Sequence, residues 1–383
     1  MNTLNRLTLL IKPASSACNL NCRYCFYADE ALNRSEGFRG MMSREMAHRI
    51  IDRAMEAVEA GGTVLFFFQG GEPTLAGLPF FQDFTGYARE KNAGKRLVQY
   101  TIQTNGYALT PQWADFFLAH QFLVGLSLDG TRENHDLYRV TGGGEGTFRK
   151  VRRQLFMLQD AGVACNLLCV VTGDAARHPR TLYRALQDLR VPFLQFIPCL
   201  ETLESEGPHA PWSLTPELYA GFLRETFDLW YADWKACRYT SVRMFEDLVL
   251  MELGLTPSTC ASSGACGSYL VLESDGSVYP CDFYCLDPFF LGKIQDMTIE
   301  QLLSSPGMQS FRKKNGLSLK DCMSCPHVKI CHGGCRREWG MHGQQAYHPY
   351  CDALKSFFDH ARPRLREIAE AERQARMKSG ADR

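Results

Sequence analysis

Cys18, Cys22 and Cys25 form a C-x3-C-x2-C run, with Tyr24 and Phe26 flanking the last cysteine. Three thiolates on one loop can hold three irons of a [4Fe-4S] cube, whereas full ligation by protein takes four cysteines. The fourth iron is then open. It can chelate the amino and carboxylate groups of S-adenosylmethionine and pass it one electron, breaking a C–S bond to give methionine and a 5′-deoxyadenosyl radical, chemistry that belongs to the cofactor. The competing uses are three buried free cysteines or a zinc knuckle, which is short of one ligand because structural zinc is normally closed by four.

Eight further cysteines lie toward the C-terminus: Cys260, Cys266 and Cys281 around a hairpin signal, then Cys322, Cys325, Cys331, Cys335 and Cys351. They divide into two sets of four. A cube ligated through all four irons has no open position for a cofactor and suits electron transfer; C-x2-C suits two structural zincs equally well. Asp282 directly follows Cys281. A carboxylate there can take a proton from a thiol or hydroxyl while an electron leaves to the adjacent cluster, which is general-base work coupled to oxidation. The alternative is a turn cap, the role expected of Asp275 in the turn Ser274–Ser277. The remaining cysteines, Cys165, Cys169, Cys199, Cys237 and Cys285, lie in or near apolar runs and read as small buried hydrophobes, although Cys285 is close enough to Cys281 to compete as a ligand.

The elements that must position these residues read as an α/β chain. Strand-like apolar runs at Leu7–Lys12, Thr63–Gln69, Val98–Thr104, Leu123–Leu128, Ala164–Val171 and Phe193–Pro198 alternate with helical patterns, the signature of β-α units and a parallel sheet. Ser43 is a candidate N-cap for a helix through Ala60, with Met46 leaving the capping box incomplete, and Thr110 caps a helix that starts at Pro111. Six strands imply an open or partial barrel, whose functional residues gather at the C-terminal strand ends. After Thr215 a helical stretch runs through Trp234, followed by a cysteine-rich, metal-organised segment with a hairpin at Tyr269–Tyr279. The tail Ala353–Arg383 reads as a helix interrupted at Pro363, ending in a frayed polar stretch.

The 383 residues carry 42 Lys+Arg against 42 Asp+Glu, so no global field selects nucleic acid or an anionic membrane. The apolar run Leu7–Ile11 is shorter than a signal-peptide core or a membrane span, so a cytoplasmic location is expected. Sixteen cysteines in such a chain point to metal rather than disulfides. The absence of a long heptad seam favours a monomer.

The stretch from Lys12 through Cys18, Cys22 and Cys25 to Tyr27 resembles the radical SAM superfamily, and within it the anaerobic sulfatase-maturating enzymes of the SPASM subgroup. The resemblance extends over Phe68–Thr74, Gln103–Gly106, Gly125–Gly130 and Glu273–Tyr284. It implies a partial (β/α)6 radical SAM barrel over residues 1–235 and a C-terminal SPASM domain over 236–383. It also implies that Gly70, Gly71, Glu72 and Pro73 receive the methionyl amino group of S-adenosylmethionine, and that Ser127 and Arg139 hold other polar groups of this cofactor, an arginine fork suiting a carboxylate. Tyr24 matches the position near the adenine, and Tyr27, Gln69 and Gln103 match positions that contact a substrate peptide. Three [4Fe-4S] clusters are implied, one auxiliary cluster on Cys260, Cys266, Cys281 and Cys335 and the other on Cys322, Cys325, Cys331 and Cys351, with Asp282 as the base. The implied reaction oxidises Cys or Ser in a Cys/Ser-x-Pro/Ala-x-Arg segment of a sulfatase to Cα-formylglycine, with flavodoxin or ferredoxin as low-potential donor. A maturase forming thioether or carbon–carbon cross-links, or a non-enzymatic electron carrier, would share much of the cysteine inventory.

Overall fold

The structure, a computed structural model, describes residues 4–203, 210–313, 319–342 and 345–379. The chain divides into two compact units. One comprises Met1–Leu128, His135–Asn166 and Gly267–Lys313, and the other Asp129–Asn134, Leu167–Cys266 and Lys314–Arg383.

All six expected strands form: β1 (Leu4–Ile11), β2 (Val58–Phe68), β3 (Leu97–Thr104), β4 (Leu123–Ser127), β5 (Cys165–Val171) and β6 (Phe193–Pro198). In the first unit β1 to β4 lie side by side and parallel, with Ile11 opposite Phe68, Phe68 opposite Ile102 and Thr104 opposite Leu126. This register ends the strands at nearly one level, so the loops after Ile11, Phe68, Thr104 and Ser127 leave from the same edge. Leu9, Ile11, Val64, Phe66, Phe68, Ile102, Val124 and Leu126 are buried. Along β2 and β3 the buried positions alternate with half-buried ones, so one face of the sheet is fully packed and the other partly open. The helix Arg44–Ala57 begins at Ser43, whose side chain accepts from the Met46 N–H, and it buries Ile50, Ile51 and Ala54. The helix Pro111–Ala119 starts after Thr110, whose side chain makes no capping bond.

The hairpin expected at Tyr269–Tyr279 is present as β8 (Leu270–Leu272) and β9 (Ser277–Tyr279), and β8 pairs in parallel with β1, Leu9 opposite Leu270. β9 continues to β10 (Gly292–Lys293). In the turn, Asp275 accepts from the Ser277 N–H and from Lys293 Nζ at 2.5 Å. Burial opposes its charge, but these partners hold its carboxyl down at about 2, so it fills the turn role expected of it.

In the second unit β5, β6 and β7 (Ser241–Val242) run parallel. The helix Pro216–Lys235, capped by Thr215, packs on the long helix Cys351–Ser379. Pro363 does not interrupt that helix: Phe357 and Ala361 before it and Leu365 and Ile368 after it are all buried, and this packing carries the helix across the missing N–H. The end of the expected frayed tail, 380–383, lies outside the described residues. Among the described residues no helix is long and apolar enough to cross a membrane.

Cys165, Cys169, Cys199 and Cys285 are buried as expected, but Cys237 is exposed. It sits just past the C-terminus of the helix Pro216–Lys235 at φ 54°, where the chain turns to start β7.

Candidate functional site

The cysteine loop is stitched down on two sides. The Asn21 and Arg23 N–H groups donate to the carbonyls of Val140 and Tyr138. On the other flank the Gly71 N–H donates to the Ser15 carbonyl at 2.9 Å and the Glu72 N–H to the Ala17 carbonyl at 2.8 Å. This contact requires glycine. Gly70 has φ +123°, and a Cβ on Gly71 would stand 2.1 Å from the Ala17 carbonyl oxygen. Gly71→Ala is therefore expected to destabilise the chain by about 1–3 kcal/mol, as overpacked sites do, read as a lower unfolding midpoint of the metal-free protein; an unchanged midpoint would show that the loop yields.

Glu72 is 1 % exposed. One of its oxygens accepts from the Thr74 N–H, the Thr74 hydroxyl and the Thr104 hydroxyl, and the other from the Asn105 N–H. Burial pushes the carboxyl above its ordinary value, against the pull of these bonds. Glu72 thus ties the turn after β2 to the end of β3. Pro73 opens the short helical turn Pro73–Ala76. Gln103, on β3, donates to Ser127 Oγ at 3.0 Å, joining two strand ends. Arg139 is buried rather than a solvated charge; its guanidinium lies 5.4 Å from the Tyr24 ring centroid and Nη1 is 4.0 Å from Cys22 Sγ. Gln69 is half-buried at the end of β2, where its N–H donates to the Ile11 carbonyl.

Asp282 begins a short turn, Asp282–Tyr284, after the hairpin, and is 6 % exposed. Its Oδ2 accepts from the Tyr27 hydroxyl at 3.3 Å and its Oδ1 from the Tyr269 hydroxyl at 2.5 Å; Cys281 Sγ is 3.7 Å from Oδ1. Tyr27 is also covered by Lys12, whose Nζ stands 4.7 Å from the ring centroid. Lys12 in turn is held between Glu30 and Glu273, at 3.5 and 3.3 Å. Glu30 accepts from the Cys285 N–H, and Cys285 is enclosed by Leu10, Val271 and Tyr279.

Burial raises the Glu30 carboxyl from an ordinary 4.5 to about 7, with Lys12 pulling it back. Between those values the folded chain keeps a proton that the unfolded chain has released. This contribution to stability is complete below about 4.5 and lost as the pH rises to about 7. Glu30→Gln removes it, so the wild-type advantage at pH 5 over pH 8, read from denaturant midpoints of the metal-free protein, shrinks in the variant. An unchanged pH dependence would place the titration elsewhere.

The thiols lie in groups. The Cys18 thiol interacts electrostatically with Cys22 and Cys25. In the second unit Cys331 interacts with Cys322, Cys325 and Cys351, and Cys335 with Cys260 and Cys266. Burial lifts the Cys331 thiol to about 11, so it must release a proton when it binds metal. Among the described residues no group of three or more His, Cys, Asp or Glu side chains is placed to hold a metal ion; the grouped thiols fit an iron–sulfur cube by donor type, cysteine thiolates being its usual ligands.

Sequence reasoning missed Asn105, whose side chain donates to Asn19 and stands 3.7 Å from Cys18 Sγ, and Tyr269 beside Asp282. Asn105 lies in the Gln103–Gly106 stretch that opens the loop after β3, which was the available signal. For Tyr269 the signal was only its place at the hairpin's start.

The radical SAM superfamily model matches residues 13–186, and the SPASM model, an iron–sulfur cluster-binding domain, matches residues 260–326. The chain is 42% identical to the cysteine-type anaerobic sulfatase-maturating enzyme of Clostridium perfringens (strain 13 / Type A), over 95% of this chain and 98% of that protein. It is 29% identical to the serine-type anaerobic sulfatase-maturating enzyme of Bacteroides thetaiotaomicron, over 93% of this chain and 90% of that one. The solved structure of native anSMEcpe with bound AdoMet and Cp18Cys peptide matches with a TM-score of 0.89 at 40% identity, covering 96% of this chain and 99% of that chain. The three-cysteine loop, the glycine turn bound to it and Asp282 beside Cys281 thus occur in a chain that belongs to the radical SAM superfamily and, within it, to the anaerobic sulfatase-maturating enzymes, oxidoreductases that generate formylglycine.

Proposed function

We propose that this chain oxidises a cysteine side chain in an extended Cys-x-Pro/Ala-x-Arg segment of a sulfatase to Cα-formylglycine, with Asp282 as the base. The observation that carries the reading is the shared edge of β1 to β4, where the cysteine loop, the glycine turn, Gln103 and Ser127 lie, with Asp282 just after the hairpin that pairs with β1. Cys18, Cys22 and Cys25 would hold one cluster with an open iron; Cys260, Cys266, Cys281 and Cys335 a second; and Cys322, Cys325, Cys331 and Cys351 a third. When bound, S-adenosylmethionine and these clusters supply the 5′-deoxyadenosyl radical that removes a Cβ hydrogen and the sink for the electron released.

The chain's own residues then have separate tasks. Gly70, Gly71 and Pro73 offer backbone carbonyls to the methionyl amino group, while Glu72, engaged by four protein donors, keeps that backbone in place. Arg139 presents its fork to the carboxylate, Ser127 takes a further polar group, and Tyr24 lies along the adenine. Tyr27, Gln69 and Gln103 orient the peptide. Asp282 takes the thiol proton as the C=S bond forms, and the thioaldehyde hydrolyses to the aldehyde. Residues 1–235 would carry the radical step and 236–383 the auxiliary clusters, in a cytoplasmic monomer reduced by flavodoxin or ferredoxin.

Preference for cysteine over serine is supported by the identities of 42% and 29% to the two types of relative. It is also supported by acidity, since a thiol with an ordinary pKa of about 8.5 yields its proton to a carboxylate more readily than an alcohol. Offered matched Cys and Ser peptides in competition, the reconstituted enzyme is expected to convert the Cys peptide with the higher kcat/KM; equal or reversed values would overturn the preference.

A further inference from the structure

The carboxylate of Asp282 is held unevenly. Its Oδ1 takes a short bond from Tyr269 at 2.5 Å, and its Oδ2 a long one from Tyr27 at 3.3 Å. The long bond leaves Oδ2 the more available acceptor, and it faces the tyrosine assigned to the substrate side. The two phenols also differ in what anchors them. Tyr27 is on a seven-residue helix, Phe26–Leu32. Tyr269 is joined to β8, which the sheet fixes in register against β1, and its ring packs on the buried cluster of Leu10, Val271, Tyr279 and Cys285. Asp282, by contrast, starts a three-residue turn, an element with little rigidity of its own. Functional side chains on loops need partners on rigid elements to hold a productive geometry.

We propose that Tyr269 is a positioning residue for Asp282: its hydroxyl clamps Oδ1 and so fixes the rotation that turns Oδ2 toward the substrate. The inference rests on the reading of Asp282 as the base. Tyr269 touches no reacting atom; its hydroxyl also stands 3.6 Å from Cys281 Sγ, so iron content is followed beside the carboxylate's effect on the reaction. Without the clamp the carboxylate rotates, the substrate radical waits longer for proton removal, and more cofactor is cleaved per aldehyde formed. Peptide affinity is unaffected, because Tyr27, Gln69 and Gln103 are intact.

The test is a cycle of Tyr269→Phe, Asp282→Asn and the double variant in the fully reconstituted enzyme, following aldehyde, 5′-deoxyadenosine, iron content, unfolding midpoint and peptide Kd. Tyr269→Phe keeps the ring and its packing. The expected result is a kcat for aldehyde lowered about ten- to a hundred-fold, the scale of a small misplacement, with peptide Kd, iron content and midpoint at wild-type values and more deoxyadenosine per aldehyde. In the Asp282→Asn background the same change is expected to cost nothing further, since residues that act through one another are non-additive. Wild-type kcat in Tyr269→Phe, additive losses in the double variant, or a lowered midpoint or iron content in Tyr269→Phe would each overturn the proposal. Wild-type aldehyde yield in Asp282→Asn would instead remove the base reading on which it stands.

Discussion

Cys22→Ala is expected to reduce S-adenosylmethionine cleavage to the uncatalysed background. Two thiolates, Cys18 and Cys25, do not secure a cube that needs three from this loop to leave one iron open. Cys22 is half-buried, in a loop held by backbone bonds from Asn21 and Arg23 to Val140 and Tyr138, so removing its sulfur to leave a methyl side chain keeps the loop's own anchors in place. The variant should keep the wild-type circular dichroism spectrum and lose about four irons, one [4Fe-4S] cluster's share. Deoxyadenosine formation under a strong reductant is the readout. Cleavage persisting in Cys22→Ala would remove the first-cluster assignment, and with it the role given to the glycine turn.

Asp282→Asn separates the radical step from the oxidation. The amide keeps the size of the carboxylate but cannot take a proton from the substrate thiol, so deoxyadenosine still forms while aldehyde falls about 10²- to 10⁴-fold, the usual weight of a general base. Because Asp282 is 6 % exposed and bonded to Tyr27 and Tyr269, bulk water is a poor substitute. The ratio of the two products isolates the loss to the step after hydrogen removal. A normal aldehyde yield from Asp282→Asn would take the base away from this residue.

The parts of the site that lie on continuous sequence were readable without coordinates. The six strands showed as short apolar runs alternating with helical patterns, and Ser43 showed as a cap through its residue type, its side chain accepting from the Met46 N–H. The open cysteine loop is a local pattern, and its chemistry follows from counting ligands. Contacts between distant stretches were not readable. Nothing in Leu270–Leu272 says that it will lie parallel to β1, because that pairing is set by tertiary packing. The proximity of Cys335 to Cys260 and Cys266 is likewise a relation in space, and it entered through the resemblance rather than through spacing. Pro363 misled because local propensity predicts a break where buried neighbours on both sides override it. The Lys12, Glu30 and Glu273 network stayed hidden for a related reason: each residue looks like an ordinary surface charge until the fold buries all three.

The measurement that tests the account most directly is anaerobic. The chain is reconstituted with iron and sulfide, then given S-adenosylmethionine, a strong reductant and a peptide bearing the Cys-x-Pro-x-Arg motif, and mass spectrometry follows both products. The account predicts 5′-deoxyadenosine together with a peptide aldehyde in place of the cysteine. An iron-loaded sample that forms deoxyadenosine but leaves the cysteine unchanged, or that forms neither product, would contradict it.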